Sequence, residues 1–329
     1  MNPETDAKIE TAYQLVQHEA RTVIHDQPGV VLLGGRDRLD LLNRMSTNDL
    51  ADLPAGCWKR TVLTNALARI VDVVIVFSRT SDTLLLTSSS KAPQVLAWLS
   101  GYIFFQDEVQ VSLPEQAFSH WAVYGPKSAG YLPEVLPFEP SESLGTFCED
   151  GGNIVWRVEQ PRPGGYELLL CGETTARAEE AWQDAHHPAI QQVYEILRIE
   201  SGLPRIGYEI TEDTIPLEVG LWDDVSFNKG CYIGQEILAR MESRGQIAHR
   251  LVLMQLSGPL PHGTELLANG MYAGRLTSVV HSPHSGWIGL ALVKPTALEG
   301  ETLDTDRNGT KLRILDPLQS ARIQHTATP

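Results

Sequence analysis

Cysteine is scarce in this chain: Cys57, Cys148, Cys171 and Cys231 are its four, and no two form a C-x-x-C pair. That spacing gives neither a zinc ribbon nor a disulfide scaffold. Basic residues are also few, 26 Lys and Arg against 41 Asp and Glu, for a net charge of −15. Duplex nucleic acid demands clustered cations, so a broad nucleic-acid surface is not expected, whereas a small anion in a local basic pocket stays open. Long apolar runs are missing as well. Stretches such as VVIVF from Val73 fall far short of the roughly 20 residues of a spanning helix, and the polar opening MNPETDAKIE is unlike a signal peptide. A cytoplasmic protein with no membrane partner is expected. LLGGRDR lacks the spacing of a dinucleotide fold, and in HSPH the residue Pro283 turns His281 and His284 into a loop pair, so no metal site is expected.

What is present is ordered structure of two kinds. Ile9, Tyr13, Val16, Ala20 and Val23 recur at helical steps and predict one apolar stripe along an N-terminal helix. GVVLLGG reads as a buried strand, and DRLDLLNRMSTNDL as a helix with Leu39, Leu42 and Met45 inward and Asp37 as its N-cap. Strands RTVLTNA, IVDVVIVF, DTLLLTS and EVQVSL follow, with a helix through PQVLAWLSGYI. A second α/β stretch alternates HWAVYG, NIVWRVEQ and YELLLC with helices near TTARAEEAWQDA and AIQQVYEILRIE. From about Arg250 helical periodicity stops, and RLVLMQL, MYAGRLTSVV and WIGLALV between Gly/Pro turns predict a small β-barrel.

Three places carry possible chemistry. In AIQQVYEILRIESG, Val193, Leu197 and Glu200 share one helix face, so Glu200 ends an apolar stripe where an ionised carboxylate needs a donor. It either meets water, Arg198 or Arg205, or accepts N–H groups from a flat heterocycle. Thr64, Asn65, Arg69 and Asp72 are polar residues among strand formers, and alternation leaves open whether Asp72 faces a cleft or solvent. In FNKGCYIGQE, Cys231 follows Lys229 by two residues and precedes a helix, features that favour a thiolate, though a small inert core thiol fits the same letters. Arg240 and Arg244 stand four apart on that helix, fit either for an anionic ligand or for the helix dipole, with Gly245 as C-cap.

NKGCYIGQE resembles the K-G-C-Y-x-G-Q-E signature of the YgfZ family, folate-binding proteins of iron–sulfur enzyme maintenance that are related to the glycine-cleavage T-protein, an aminomethyltransferase. GRDRLDLLNRMSTNDL, GCWKRTVLTNALARIVD, YGPKSAG, LRIESGLPRIGYEITEDTIPLE and GWIGLALV resemble further family segments, in family order. The resemblance implies an α+β protein of three domains in a ring, two α/β domains and a C-terminal β-barrel, with tetrahydrofolate or a derivative in the middle. Residues 1–50 with 115–215 would form the first folate-binding domain, 51–114 with 216–246 a ferredoxin-like second, and 247–329 the barrel. Glu200 would grip the pterin, with Asn65, Asp72, Tyr232 and Arg240 as further cofactor contacts. Cys231 would be the working thiol and Lys229 the cation that holds its thiolate or a ligand anion. Iron–sulfur enzymes or cluster-assembly proteins, tRNA-modifying enzymes among the clients, would be the partners.

One departure matters. The transferases look as though they carry two adjacent acids where this chain has Asp72 and Val73, and valine can neither orient a nucleophile nor exchange a proton. A folate-dependent aminomethyl or methyl transferase is therefore the second expectation. A thiol-disulfide or sulfur-carrying protein is the third, for which no resolving cysteine is adjacent to Cys231.

Overall fold

The computed structural model describes residues 3–25, 27–88, 91–300, 302–306 and 311–316. The chain folds into two compact units. Residues up to Asn65, Val71–Tyr194 and Asp224–Ile233 make the first; Ala66–Ile70, Glu195–Asp223 and the chain from Gly234 onward make the second.

The first unit begins with α1 (Pro3–His18), whose Ile9, Tyr13 and Val16 are buried as the stripe predicts. The stripe stops there. Val23 leaves it for β1 (Arg21–Ile24), because Thr22, Val23 and Ile24 are β-branched and favour a pleated surface over a helix. β2 (Gly29–Gly34), α2 (Arg38–Met45), β3 (Cys57–Thr64), β4 (Ile70–Ser78), β5 (Asp82–Thr87), α3 (Ala92–Ser100) and β6 (Gln110–Ser112) follow. Asp37 stands at the N-cap position of α2 but makes no side-chain cap bond; its Oδ2 instead accepts the N–H of Glu108 at 2.9 Å. Next come β7 (Phe118–Tyr124), β8 (Phe147–Asp150), β9 (Asn153–Val158), β10 (Gly165–Cys171), α4 (Gly172–Ala181) and α5 (Pro188–Glu200), whose residues from Glu195 on belong to the second unit.

These strands form two five-stranded sheets, ordered β1-β7-β10-β9-β8 and β3-β4-β5-β2-β6. In the second sheet β2 lies between β5 and β6. Its Val30, Val31 and Leu32 pair antiparallel with Leu86, Leu85 and Leu84, and a slip by one residue would turn these apolar side chains to the wrong face. The two sheets share a core in which Phe77 meets Phe147 and Trp156 edge-on, with ring centroids 5.3 and 4.8 Å apart. Such pairs contribute about 0.5–1.5 kcal/mol beyond their area.

The second unit holds α6 (Gln235–Arg244) and the strands β11 (Arg250–Gln255), β12 (Glu265–Ala268), β13 (Met271–Ser282), β14 (Gly286–Val293), β15 (Thr302–Thr305) and β16 (Lys311–Asp316). The strands close into a barrel in the order β11-β14-β13-β12-β15-β16, which leaves no open edge. Val252, Met254, Leu266, Leu276, Ala291, Val293, Leu303 and Leu312 fill it. The fold is thus α+β with a C-terminal β-barrel, as expected; residues 317–329 of the expected barrel range lie outside the described residues. Gly234 and Gly245 bound α6, both with left-handed φ (83° and 61°) that favours glycine. Among the described residues no helix is long and apolar enough to cross a membrane.

Candidate functional site

The segment Asp224–Ile233 is part of the first unit and is held there at both ends and at Lys229. Asp224 is buried and receives Arg60 Nε at 2.9 and 3.0 Å through its two oxygens. Its carbonyl accepts the Thr47 hydroxyl at 2.6 Å, and the N–H of Ser226 donates to the carbonyl of Thr47. At the other end, Ile233 donates to the carbonyl of Arg44, and its own carbonyl accepts the Thr64 hydroxyl at 3.0 Å. The segment therefore lies against the end of α2 and the end of β3, and Thr64 ties it beside half-buried Asn65.

Lys229 reaches back from this segment to the chain that follows α2. Its Nζ donates to the backbone carbonyls of Asn43, Ser46 and Asn48 at 2.6, 2.7 and 2.6 Å, and it lies 4.7 Å from the Tyr232 ring centroid. The Asn43 side-chain oxygen adds a fourth acceptor at 3.2 Å, so the ammonium is held by the protein's own oxygens. Asn43 lies in the last turn of α2, where carbonyls lack intrahelical partners, Ser46 is the C-cap of that helix and Asn48 follows it, so Lys229 supplies a donor to the helix end and to the chain leaving it. Burial pulls Lys229 from its usual range down to about 7, with the Asp49 carboxylate acting in the opposite direction. Burial also pushes the Tyr232 phenol up to about 12, so it stays protonated. Between these two anchored side chains Cys231 is exposed.

Asp72 is fully buried in β4. Its oxygens accept the N–H groups of Val73 at 3.0 Å and Ser88 at 3.1 Å, while Lys91 donates to the carbonyl of Val71. Burial outweighs these partners and raises the Asp72 carboxyl above its ordinary range. Val73, its neighbour, is half-buried.

In the second unit, Glu200 ends α5, where the helix dipole opposes a carboxylate. The hydroxyl of Ser282 donates to Glu200 Oε1 at 2.5 Å. Ser282 is fully buried at the end of β13, and its oxygen accepts the N–H groups of His284 and Ser285 at 3.0 Å each. The serine is thus held from behind and aims its proton at the carboxylate. Arg198 and Arg205, the alternative partners considered from sequence, are engaged by Glu195 at 3.1 and 2.7 Å. Buried Arg198 further binds Glu209, Ser278 and the carbonyl of Leu203, which stiffens the helix end that carries Glu200. Ser282 escaped the sequence reading because it stands inside HSPH, where the histidines drew the attention; Pro283 and the turn were the available signal. Arg240 is exposed on α6 and pairs with Glu236 at 2.8 Å, one helical turn away.

Comparison with known proteins follows the fold. Residues 5–148 match the model of the GCVT N-terminal domain, and residues 249–316 that of the glycine cleavage T-protein C-terminal barrel domain. A chloroplastic protein of Arabidopsis thaliana that bears the name transferase is 29% identical over 279 residues, which cover 82% of this chain and 64% of that one. The aminomethyltransferase of Geobacillus kaustophilus is 27% identical over 323 residues, 93% of this chain and 88% of its own. The crystal structure of the glycine cleavage system aminomethyltransferase T from Bartonella henselae superposes with a TM-score of 0.80 at 22% identity, covering 94% of this chain and 89% of the other, and so shares the fold. Carrying the N-terminal domain and the barrel of one family, on that family's fold, the chain is a relative of the glycine cleavage T-protein.

Proposed function

We propose that the chain binds tetrahydrofolate and supports the assembly or repair of iron–sulfur enzymes, tRNA-modifying ones included, as a member of the YgfZ branch of T-protein relatives. The observation that carries the reading is Glu200, a half-buried carboxylate aimed by a buried serine on a T-protein fold. A carboxylate at such a place fits the adjacent N–H donors of a pterin ring, since hydrogen bonds to an ionised acceptor are about twice as strong as neutral ones. In this reading Glu200 binds the ring, Ser282 orients Glu200, and Asn65, Asp72, Tyr232 and Arg240 are the further contacts carried over from the family resemblance. Folate, when bound, supplies a one-carbon carrier. Cys231 is the working thiol, and Lys229 acts on it by anchoring the segment in which it sits. The same reading keeps three domains, with the barrel as the last.

The second reading is aminomethyl or methyl transfer, favoured by relatives that are named aminomethyltransferases. Val73 speaks against it, because it offers no proton and no acceptor where the transferases look to carry a second acid. The two separate in one assay. Purified protein given tetrahydrofolate and the aminomethyl-loaded carrier of glycine cleavage is expected to release no ammonia above background, while the gene restores iron–sulfur enzyme activity in cells lacking it. Turnover at transferase-like rates, or failure to restore, would reverse the choice.

A further inference from the structure

The first unit gathers four polar side chains on one face of three neighbouring strands. Ala122 of β7 pairs with Val23 of β1 and Glu167 of β10. By the two-residue period of a strand, His120 and Tyr124 stand on the same face as Ala122, one on each side of it. His25, just past β1, donates its backbone N–H to the carbonyl of His120 at 2.9 Å. The small side chain of Ala122 leaves room above it, and into that room the larger groups converge.

Their contacts are close. His120 Nε2 lies 3.2 Å from Glu167 Oε2, the Tyr124 hydroxyl donates to Glu167 Oε1 at 3.0 Å, and the two imidazole centroids are 4.4 Å apart. One donor atom from each of His25, His120 and Glu167 falls within 4.8 Å of the others. Aromatic neighbours set the rings: Trp156 stacks on His120 at 5.7 Å and Tyr194 meets His25 edge-on at 4.8 Å. His25 and His120 also line an open cavity of about 720 Å³, bounded in addition by Thr175, His186 and Gln191.

The geometry points to a binding site for one divalent first-row transition ion, of the zinc class, with His25, His120 and Glu167 as its protein ligands. Two imidazoles and a carboxylate are the donor set of such ions, and nitrogen donors disfavour magnesium and calcium. Bonds of about 2.0–2.1 Å at tetrahedral angles place donor atoms roughly 3.3 Å apart. His120 and Glu167 already stand at that separation, and His25, within 4.8 Å of both, reaches it by a side-chain shift of at most roughly 1.5 Å. Tyr124 is the outer partner that orients the carboxylate, a support that ligating carboxylates ordinarily have. The cavity provides the access route and the space for a fourth, exchangeable ligand. A closed hydrogen-bond network from His25 through Tyr124 and Glu167 to His120 would need neither the cavity nor two imidazoles turned toward one carboxylate.

The test uses the full chain, freed of metal by a chelator and titrated with Zn²⁺, and separately with Co²⁺ to read its visible absorption. One ion per chain is expected, with H25N, H120A and E167Q each weakening binding at least about 100-fold. A double variant H281A/H284A, which removes the loop pair, is expected to bind as wild type. Should H120A fail to fold, the wild-type chain decides alone: Zn²⁺ is expected to shield His25 and His120, but not His281, from diethyl pyrocarbonate, mapped by mass spectrometry. Absence of saturable binding, binding indifferent to the three ligand variants, or modification of His25 and His120 unaffected by Zn²⁺ would overturn the assignment.

Discussion

Lys229 and Glu200 are both charged residues in motif-like stretches, and the two units treat them in opposite ways. The ammonium of Lys229 is buried and saturated by three carbonyls of its own unit. The carboxylate of Glu200 is half-exposed and aimed by a buried hydroxyl. A charge that is buried and fully matched by the protein is part of the framework, because moving it would strand its partners. A charge that is oriented and still reachable suits the ligand role proposed for Glu200. In the signature NKGCYIGQE the lysine is thus framework, and the exposed Cys231 two residues on is what the framework displays.

The largest expected effect breaks that contrast at Lys229. Lys229→Met leaves three carbonyls without their donor, that of Ser46 in a buried bond and those of Asn43 and Asn48 in part-buried ones, and at about 1 kcal/mol or more for each unsatisfied group the loss is expected to be at least about 3 kcal/mol, read by denaturant unfolding. A variant as stable as wild type would mean that the lysine is not framework. Ser282→Ala comes next. It removes one hydrogen bond that aims Glu200, so tetrahydrofolate affinity is expected to fall roughly five- to tenfold, corresponding to about 1–1.5 kcal/mol, with little change in stability; unchanged affinity would show that the serine does not orient the carboxylate.

Asp72 sharpens the comparison through pH. Its folded-state carboxyl lies above its unfolded value because of burial, so the folded chain binds the proton more tightly. That contribution is fully present below the ordinary carboxylate value and is lost as pH rises through the raised one, each tenfold difference in proton affinity between the folded and unfolded chain contributing about 1.4 kcal/mol. Asp72→Asn, neutral at every pH, is expected to abolish this slope in unfolding measured across the acidic range, and a slope that persists would locate the titration elsewhere. Smallest is Cys231→Ser, expected to leave stability within about 0.5 kcal/mol, as for surface substitutions generally. The same substitution should remove the fast phase of thiol labelling, because Cys231 is exposed, whereas Cys171 is buried and its thiol is raised by burial. A fast phase that survives in the serine variant would contradict the exposed-thiol placement.

What the sequence made legible was whatever rests on local periodicity. The barrel follows from alternation in RLVLMQL and WIGLALV, and Glu200 stands out as a carboxylate at the end of an apolar stripe. Val23 was misplaced because its spacing suits a helix as well as the strand that its β-branched neighbours prefer. The pairing of β2 with β5 is a long-range choice that no local pattern writes. Ser282 meets Glu200 only once β13 has folded into the barrel. Lys229 needed the unpaired carbonyls at the end of α2, a backbone feature invisible in letters. His25, His120 and Glu167 come together only through the register of β1, β7 and β10, so no ligand spacing could announce them.

The central claim is a folate site organised around Glu200. Its most direct test is an anaerobic equilibrium titration of the purified chain with tetrahydrofolate, run in parallel on the wild type and on Glu200→Gln. Saturable binding of one folate per wild-type chain is predicted, weakened at least about tenfold in a folded glutamine variant, since a hydrogen bond to a charged acceptor contributes about 1.5–3 kcal/mol. Equal affinity in the two proteins, or no saturable binding by the wild type, would contradict it.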